Sequence, residues 1–179
     1  MELLTALGLS VPAGLNAYVP LLAVALAERF GLLELKAPFD LLGEWWLIAV
    51  IAVLLAVELV ADKIPAVDHV NDAIQTFVRP AAGGIVAVAA AGNATDVSPW
   101  FLVLAGVLLA GGVHAAKATA RPVVNVTTGG TGAPVASAVE DAGAVVLSAV
   151  AIVAPILVAV LLIVFAVVLW RLWRRPGRV

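Results

Sequence analysis

Residues 142–170 read AGAVVLSAVAIVAPILVAVLLIVFAVVLW and contain no charged side chain. About 20 apolar residues are enough for a helix to cross the roughly 30 Å core of a bilayer, so this run predicts a membrane-spanning helix with substantial tilt. The 179-residue chain has the same character throughout, with 64% apolar and 12% charged residues and a mean hydropathy of +1.14. A soluble domain has roughly 25% charged residues. The sequence therefore predicts an all-α, polytopic membrane bundle of four or five spans and excludes a soluble globular protein.

Four more apolar stretches precede this run. The first, residues 3–27, contains Pro12, Gly14, Asn16 and Pro20. Proline removes a backbone donor and glycine loosens a helix, so we predict that this helix is broken or kinked near its middle. The other three stretches, separated by a mixed-charge connector and two polar segments, are residues 45–61, 80–92 and 100–116.

The basic tail, residues 171–179, carries four arginines and follows the last apolar run directly. Because basic residues beside a span stay on the cytoplasmic side, we expect a multi-pass protein of the bacterial inner membrane with a cytoplasmic C-terminus. Residues 1–170 are predicted to form a single transmembrane domain. The chain has no cysteine, which excludes disulfides, thiol nucleophiles and zinc–thiolate sites.

An internal repeat is predicted from self-similarity. A shift of 54 residues aligns residues 46–82 with a later part of the chain, with 12 identities in 37 positions. The most informative identities align Trp46 with Trp100 and Lys63 with Lys117. We therefore predict two repeat halves, residues 46–92 and 100–170, which is an arrangement typical of secondary transporters.

Two topologies agree with this repeat. If residues 64–92 form a re-entrant hairpin, the halves are inverted and the chain has four spans. If residues 70–92 cross the membrane instead, the halves are parallel, the chain has five spans and the N-terminus lies outside. The apolar part of this segment has only 13 residues, which is too few to cross alone, and this favours the hairpin.

Ionisable residues gather after the second and fourth apolar stretches. Such groups are costly at membrane depth, and their default interpretation is functional. The residues predicted to bind substrate are Lys63, Arg79, Lys117, Arg121 and Asn125. The residues predicted to exchange protons or balance charge are Glu58, Asp62, Asp68, Asp72, His114, Glu140 and Asp141. The alternative interpretation is a network of salt bridges that fastens the helices together.

The glycine-rich run TTGGTG, residues 127–132, also bears on the substrate. Glycines allow consecutive amides to converge on an anion, although the run lacks the Gly-Lys-Ser/Thr ending of a phosphate loop. Together with the four cations it favours an anionic substrate. Arginine can fork onto phosphate oxygens and lysine acts as a point charge, so a phosphate or a lipid-phosphate headgroup fits this chemistry.

Two motifs resemble a known family. The first is ELVADKIPAVD, residues 58–68, followed by Asp72 and by VRPAAG, residues 78–83. The second comprises HAAK at residues 114–117 and the later SAVED at residues 137–141. Both are similar to motifs of the bacterial membrane family catalogued as domain of unknown function 4126. The resemblance covers nearly the whole chain and implies an integral membrane protein, but it implies no activity, cofactor or site role.

The sequence thus predicts a small transporter or flippase-like carrier for an anionic, phosphate-bearing substrate, either free or lipid-linked, with proton coupling. We expect no enzymatic activity, no cofactor and no nucleic-acid partner. The expected partners are the lipid bilayer, the anionic substrate or headgroup, and a second copy of the chain. Two alternatives remain open: a non-catalytic assembly or scaffold protein, and a membrane-embedded lipid-modifying enzyme. The metal of such an enzyme would be held by Asp62, Asp68, His69 and Asp72.

Overall fold

The computed structural model describes residues 2–62, 65–92, 96–129 and 131–157 and the separate positions 160, 163, 164, 167 and 171; for residues 65–69 and 125 it describes the backbone alone. Across these ranges the chain is helical and contains no strand. The α-helices are α1 (Glu2–Ala13), α2 (Tyr18–Arg29), α3 (Trp45–Ala61), α4 (Pro65–Ala90), α5 (Pro99–Thr128) and α6 (Gly132–Val153), and a short 3-10 helix spans Phe39–Gly43. This is the all-α bundle that the sequence predicts.

Helices α1 and α2 form a helical hairpin. A Cβ atom placed on Gly92 would lie 3.1 Å from the Glu2 carboxylate and 3.4 Å from the Glu34 carbonyl, so the start of α1 lies beside the segment that follows α2. At the other end, Gly14 in the turn packs directly against Ala110 and Val113 in the middle of α5. Each helix has 12 residues, or about 18 Å, which is too short to cross a bilayer core. The predicted break in residues 3–27 is confirmed, and it reverses the chain.

Helix α4 is continuous from Pro65 to Ala90, so the predicted re-entrant hairpin over residues 64–92 is wrong. The physical reason is that the polar residues of α4 face the protein. Gln75 and Arg79 are buried, whereas Val70, Ile74 and Phe77 are exposed by 62%, 55% and 79%. Because the interior satisfies the polar face, these residues extend the apolar part into a span-length helix.

Within the described residues, three helical segments are long and apolar enough to cross a membrane, and they are Val70–Ala90, Pro99–Thr128 and Gly132–Val153. Helix α3 is apolar too, and its bounds agree with the predicted stretch 45–61. The prediction of one helix over residues 142–170 is wrong, because α6 ends at Val153 and Ala154 leaves the helical conformation. Ala154 precedes Pro155, and the residue before a proline is disfavoured in the α region.

Close contact between α4 and α5 sets the register of the bundle. Gly83 and Gly106 face each other so closely that a Cβ on Gly106 would collide with the carbonyl of Gly83. Small residues at such crossings allow two membrane helices to approach backbone to backbone. Ser10 of α1 adds a hydrogen bond of 3.0 Å to the same Gly83 carbonyl. Since Arg79 lies one turn before Gly83, this crossing also positions Arg79 opposite α5.

The helix boundaries differ between the two predicted repeat halves. Helix α3 ends at Ala61 and α4 begins at Pro65. Positions 115 and 119, which are equivalent after the 54-residue shift, both lie inside α5. The repeat therefore stays a prediction from the sequence.

Candidate functional site

Polar side chains from α3, α4, α5 and α6 meet at the tip of the α1–α2 hairpin. We call this group the polar cluster; its members are Glu58, Asp62, Asp72, Gln75, Arg79, His114, Lys117, Arg121, Ser137, Glu140 and Asp141. Nine of the twelve predicted site residues belong to it. The side chains of the other three, Lys63, Asp68 and Asn125, lie outside the described part of the chain.

Helical spacing explains why α5 contributes three members. His114, Lys117 and Arg121 are three and four residues apart, so they project from one face of the helix. All three are buried, whereas Val123 and Val126 on the other side are exposed. Helix α5 therefore resembles α4, with a polar face towards the protein and an apolar face towards the bilayer.

A fully buried ion pair forms the centre of the polar cluster. Nη2 of Arg79 lies 3.0 Å from Oε1 of Glu58, and neither side chain is exposed to solvent. A second carboxylate, Asp62, lies 3.9 Å from the same nitrogen. Removing one partner of a buried ion pair leaves an uncompensated charge in a medium of low dielectric constant, so Glu58 and Arg79 depend on each other.

His114 is tied to this ion pair as a neutral side chain. Its Nδ1 lies 3.1 Å from Nη1 of Arg79, and because arginine can only donate, Nδ1 accepts. The ring proton is then on Nε2, which lies 3.2 Å from Oγ1 of Thr76. The Thr76 hydroxyl in turn donates to the carbonyl of Asp72 at 2.8 Å. In this arrangement His114 positions Arg79 and carries no charge.

Arg121 connects three helices. Its guanidinium lies 3.3 Å from Asp72 on α4, 3.8 Å from Asp62 at the end of α3 and 3.5 Å from Glu140 on α6. It also donates to the hydroxyl of Ser137 at 2.8 Å. A planar guanidinium can serve several acceptors at once, which explains how one side chain holds these elements together.

Lys117 and Asn16 connect the hairpin tip to the polar cluster. Nζ of Lys117 lies 2.7 Å from Glu140 and donates to the carbonyl of Leu15 at 3.2 Å. The Asn16 amide donates to Asp141 at 2.9 Å. Backbone groups freed by a helix break at membrane depth need partners within the protein, and Lys117 supplies one.

Carboxylates outnumber cations in the polar cluster, and some of its buried polar atoms have no partner. Within the described residues, Oε2 of Glu58, Oδ1 of Asp72 and Oε1 of Gln75 have no hydrogen-bond partner, and nor does Nε of Arg79. The cluster's members comprise five carboxylates and three permanent cations, a formal excess of two negative charges. The arrangement can therefore receive additional positive charge or hydrogen-bond donors, and it could bind an anion only if one of its own carboxylates were displaced.

Four contributors were not assigned a role from the sequence, namely Asn16, Gln75, Thr76 and Ser137. Asn16 was visible as part of the helix break, and Gln75 lies one turn before Arg79. For the metal alternative, no three His, Asp or Glu side chains gather around a common point in the ranges searched. The side chains of Asp68 and His69 are outside those ranges.

A cleft lies at the opposite end of the hairpin. It has a volume of about 490 Å³ and is lined by residues from the start of α1, the segment after α2 and the ends of α4 and α6, including Glu2, Glu34 and Gly92. The hairpin thus separates the cleft at its base from the polar cluster at its tip.

Comparison with known proteins gives a family. The family model described as Domain of unknown function (DUF4126) matches residues 3–175. No curated protein and no solved structure matches the chain.

Proposed function

We propose that this chain, which belongs to the DUF4126 family, is a small membrane carrier for an anionic, phosphate-bearing substrate. The proposed substrate is either a free anion or a lipid-linked headgroup, and proton uptake accompanies its binding. We place the carrier in the bacterial inner membrane with the terminal arginines in the cytoplasm, as the positive-inside rule suggests, and propose that two copies associate.

The observation that carries this proposal is the position of Glu140. Its carboxylate lies between Lys117 and Arg121, at 2.7 and 3.5 Å. The Glu140 side chain is also more exposed to solvent than its two partners, at 19% against 2% for Lys117 and 9% for Arg121. An internal carboxylate thus occupies the position that an oxyanion of the substrate would take.

Substrate binding would then be an exchange of anions. A phosphate group would displace Glu140, with the arginine fork and the lysine ammonium receiving its oxygens. The displaced carboxylate would be left without its cations, and taking up a proton would remove its charge. This exchange explains why the proposed transport is coupled to protons.

The hairpin supports a carrier because it lies between the polar cluster and the cleft. Lys117 holds the carbonyl of Leu15 in the tip and also holds Glu140. An anion that draws Lys117 away from Leu15 would loosen the tip of the hairpin. The bound anion could then reach the polar cluster and the cleft alternately. Irregular backbone at membrane depth is where many secondary transporters bind their substrates.

Binding of inorganic phosphate to the purified full-length protein tests this proposal. The thermal unfolding midpoint would be measured in phosphatidylcholine nanodiscs, with sodium phosphate against sodium gluconate at equal ionic strength. Phosphate is expected to stabilise the protein, by about 2.7 kcal/mol at 100 times the Kd. Lys117→Gln and Arg121→Gln should lose this stabilisation. Lys36→Gln and Arg29→Gln remove the same charges near the hairpin base and should retain it.

A parallel series with phosphatidylglycerol in the nanodiscs distinguishes a lipid headgroup from free phosphate. If neither anion stabilises the wild type, or if the cluster variants respond as the controls do, the carrier proposal is wrong. That outcome would favour the scaffold alternative. One observation already supports this second candidate, since Arg79, Lys117 and Arg121 all have carboxylate partners.

A further inference from the structure

We infer that Glu58 and Gln75 together form a binding site for a monovalent cation, either a proton or Na⁺. The role of this cation as the coupling ion rests on the proposed carrier function. Its binding rests only on the arrangement of oxygens around Glu58.

Two buried acceptor oxygens on neighbouring helices carry the inference. Gln75 is 2% exposed and Glu58 is 1% exposed. Oε1 of Gln75 and Oε2 of Glu58 both have no hydrogen-bond partner among the residues described. A buried acceptor left unsatisfied costs about 1–3 kcal/mol, and more when it is charged, so this pair of oxygens calls for a donor or a cation.

Arg79 and Tyr18 connect these two groups. Gln75 lies one turn before Arg79, on the same face of the helix. Nη2 of Arg79 contacts Oε1 of Glu58 at 3.0 Å, which leaves Oε2 as the open atom of the carboxylate. Tyr18, the first residue of α2, shares a side-chain hydrogen bond with Gln75 and is close enough to Glu58 to feel its charge. The Glu58 carboxylate and the Gln75 amide are therefore both near the Tyr18 phenol, where α2, α3 and α4 pack together.

The charges that face Glu58 leave room for one positive charge. Arg79 on α4 neutralises one carboxylate. Asp62 lies near as a second, and its charge is only partly compensated, because Arg121 is shared between Asp62, Asp72 and Glu140. Lys117 on α5 acts on Glu58 from further away. Tyr18 contributes only a neutral hydroxyl from α2. Lys117 is itself held by Glu140 at 2.7 Å, so it is not available as a direct partner.

The chemistry of the oxygens selects the class of cation. A single proton on Oε2 of Glu58 could be donated to Oε1 of Gln75, which would satisfy both atoms. Na⁺ is a hard cation that also prefers carboxylate, carbonyl and hydroxyl oxygens, as Ca²⁺ and Mg²⁺ do. Divalent cations are less suited, because only one carboxylate of the site has an open oxygen. A proton and Na⁺ are thus alternative occupants of one site, and the experiment below distinguishes them.

The experiment measures the unfolding midpoint of the full-length protein in phosphatidylcholine nanodiscs without phosphate. One arm replaces choline chloride by NaCl or KCl at constant ionic strength, and the other varies the pH in choline chloride. If Na⁺ binds, each tenfold rise in its concentration above the Kd multiplies the folding equilibrium constant by about ten, and K⁺ has a smaller effect. If a proton binds, stability rises as the pH falls, because the folded state takes up more protons than the unfolded state.

Two variants locate the response. Glu58→Gln keeps the shape of the side chain and removes its charge, and Gln75→Leu removes the second oxygen. In either variant, the unfolding midpoint should no longer differ between the salts or between the pH values, whatever the stability of the variant itself. Glu44→Gln, an exposed carboxylate outside the polar cluster, should leave that difference unchanged. If neither Na⁺ nor pH affects the wild type, or if the response survives in both variants, the inference is overturned and the two oxygens bind only water.

This outcome is independent of the phosphate assay. A cation response without a phosphate response would retain the site and refute the carrier. A phosphate response without a cation response would retain the carrier and refute the site.

Discussion

The contact between Asn16 and Asp141 predicts how stability changes when their side chains are altered. The Asn16 amide nitrogen donates to Asp141 at 2.9 Å. Its amide oxygen accepts from the N–H groups of Tyr18 and Val19, both at 3.1 Å, and so caps the start of α2. Asn16→Asp keeps the cap and replaces the donor by a second carboxylate. Combining it with Asp141→Asn exchanges the two groups and restores a carboxylate–amide pair.

The distance between the two side chains sets the loss of stability expected for Asn16→Asp. Two like charges 2.9 Å apart repel by about 6 kcal/mol at an effective dielectric constant of about 20. One carboxyl can escape this repulsion by taking a proton. That costs about 1.36 kcal/mol for each pH unit above the ordinary aspartate value of about 3.9. Asn16→Asp should therefore destabilise the protein by at most about 4 kcal/mol at pH 7, and by less than about 2 kcal/mol at pH 5.

The assay is reversible unfolding in detergent or nanodiscs at both pH values. Asn16→Ser serves as the control, because serine also caps a helix but is too short to reach Asp141; we expect it to cost about 1–2 kcal/mol at either pH. The exchanged double variant should lie within about 1 kcal/mol of the wild type. Two results would contradict a repulsion between the side chains at positions 16 and 141: Asn16→Asp being no less stable than Asn16→Ser at pH 7, or the exchanged double variant recovering no stability.

Two further predictions concern the helices that hold the polar cluster. Gly106→Ala would force α4 and α5 apart at their crossing and should cost at least about 1–3 kcal/mol of stability. Gly112→Ala is the matched control, because a Cβ at Gly112 meets nothing within 4 Å. It should be neutral or stabilising by up to about 1 kcal/mol. Thermal melts of the two variants compare them directly, and equal stability would contradict the close contact. Arg79→Leu should cost about 3–5 kcal/mol because it leaves the buried Glu58 side chain without its partner, and adding Glu58→Leu should recover at least half of that loss. Equilibrium unfolding measures both, and strictly additive losses would show that the two side chains are not coupled.

Local composition was enough to predict α3 and the break in the first apolar stretch, but not α4 or the bounds of α5 and α6. The bounds of α3 follow from the tryptophans at its start and from Asp62 at its end. For α4, hydropathy recognised only 13 apolar residues, because polar residues that face the protein lower the average. The signal was present as complementary helical spacing, with Val70 and Ile74 on one face and Gln75 and Arg79 on the other. An average over all faces cannot separate these two sets.

The residue types of the candidate site were also predictable, because ionisable groups are rare in spans. Their pairing was not. The basic residues were assigned to the substrate, yet Lys117 and Arg121 already share Glu140. Which carboxylate meets which cation depends on the register between helices, and the contact of Gly83 with Gly106 sets that register for α4 and α5. Such contacts join residues far apart in the sequence, and no local pattern encodes them.

The hairpin and the polar cluster depend on each other for a physical reason. A helix that ends inside a bilayer leaves backbone groups that only protein or water can satisfy. At the tip, Lys117 satisfies the Leu15 carbonyl and Asn16 caps α2 while bonding to Asp141. Lys117 also neutralises Glu140, so the residue that stabilises the hairpin is the residue that would receive an anion. Any ligand that competes for Lys117 must therefore weaken the tip, and any movement of the tip must change the charge balance around Glu140.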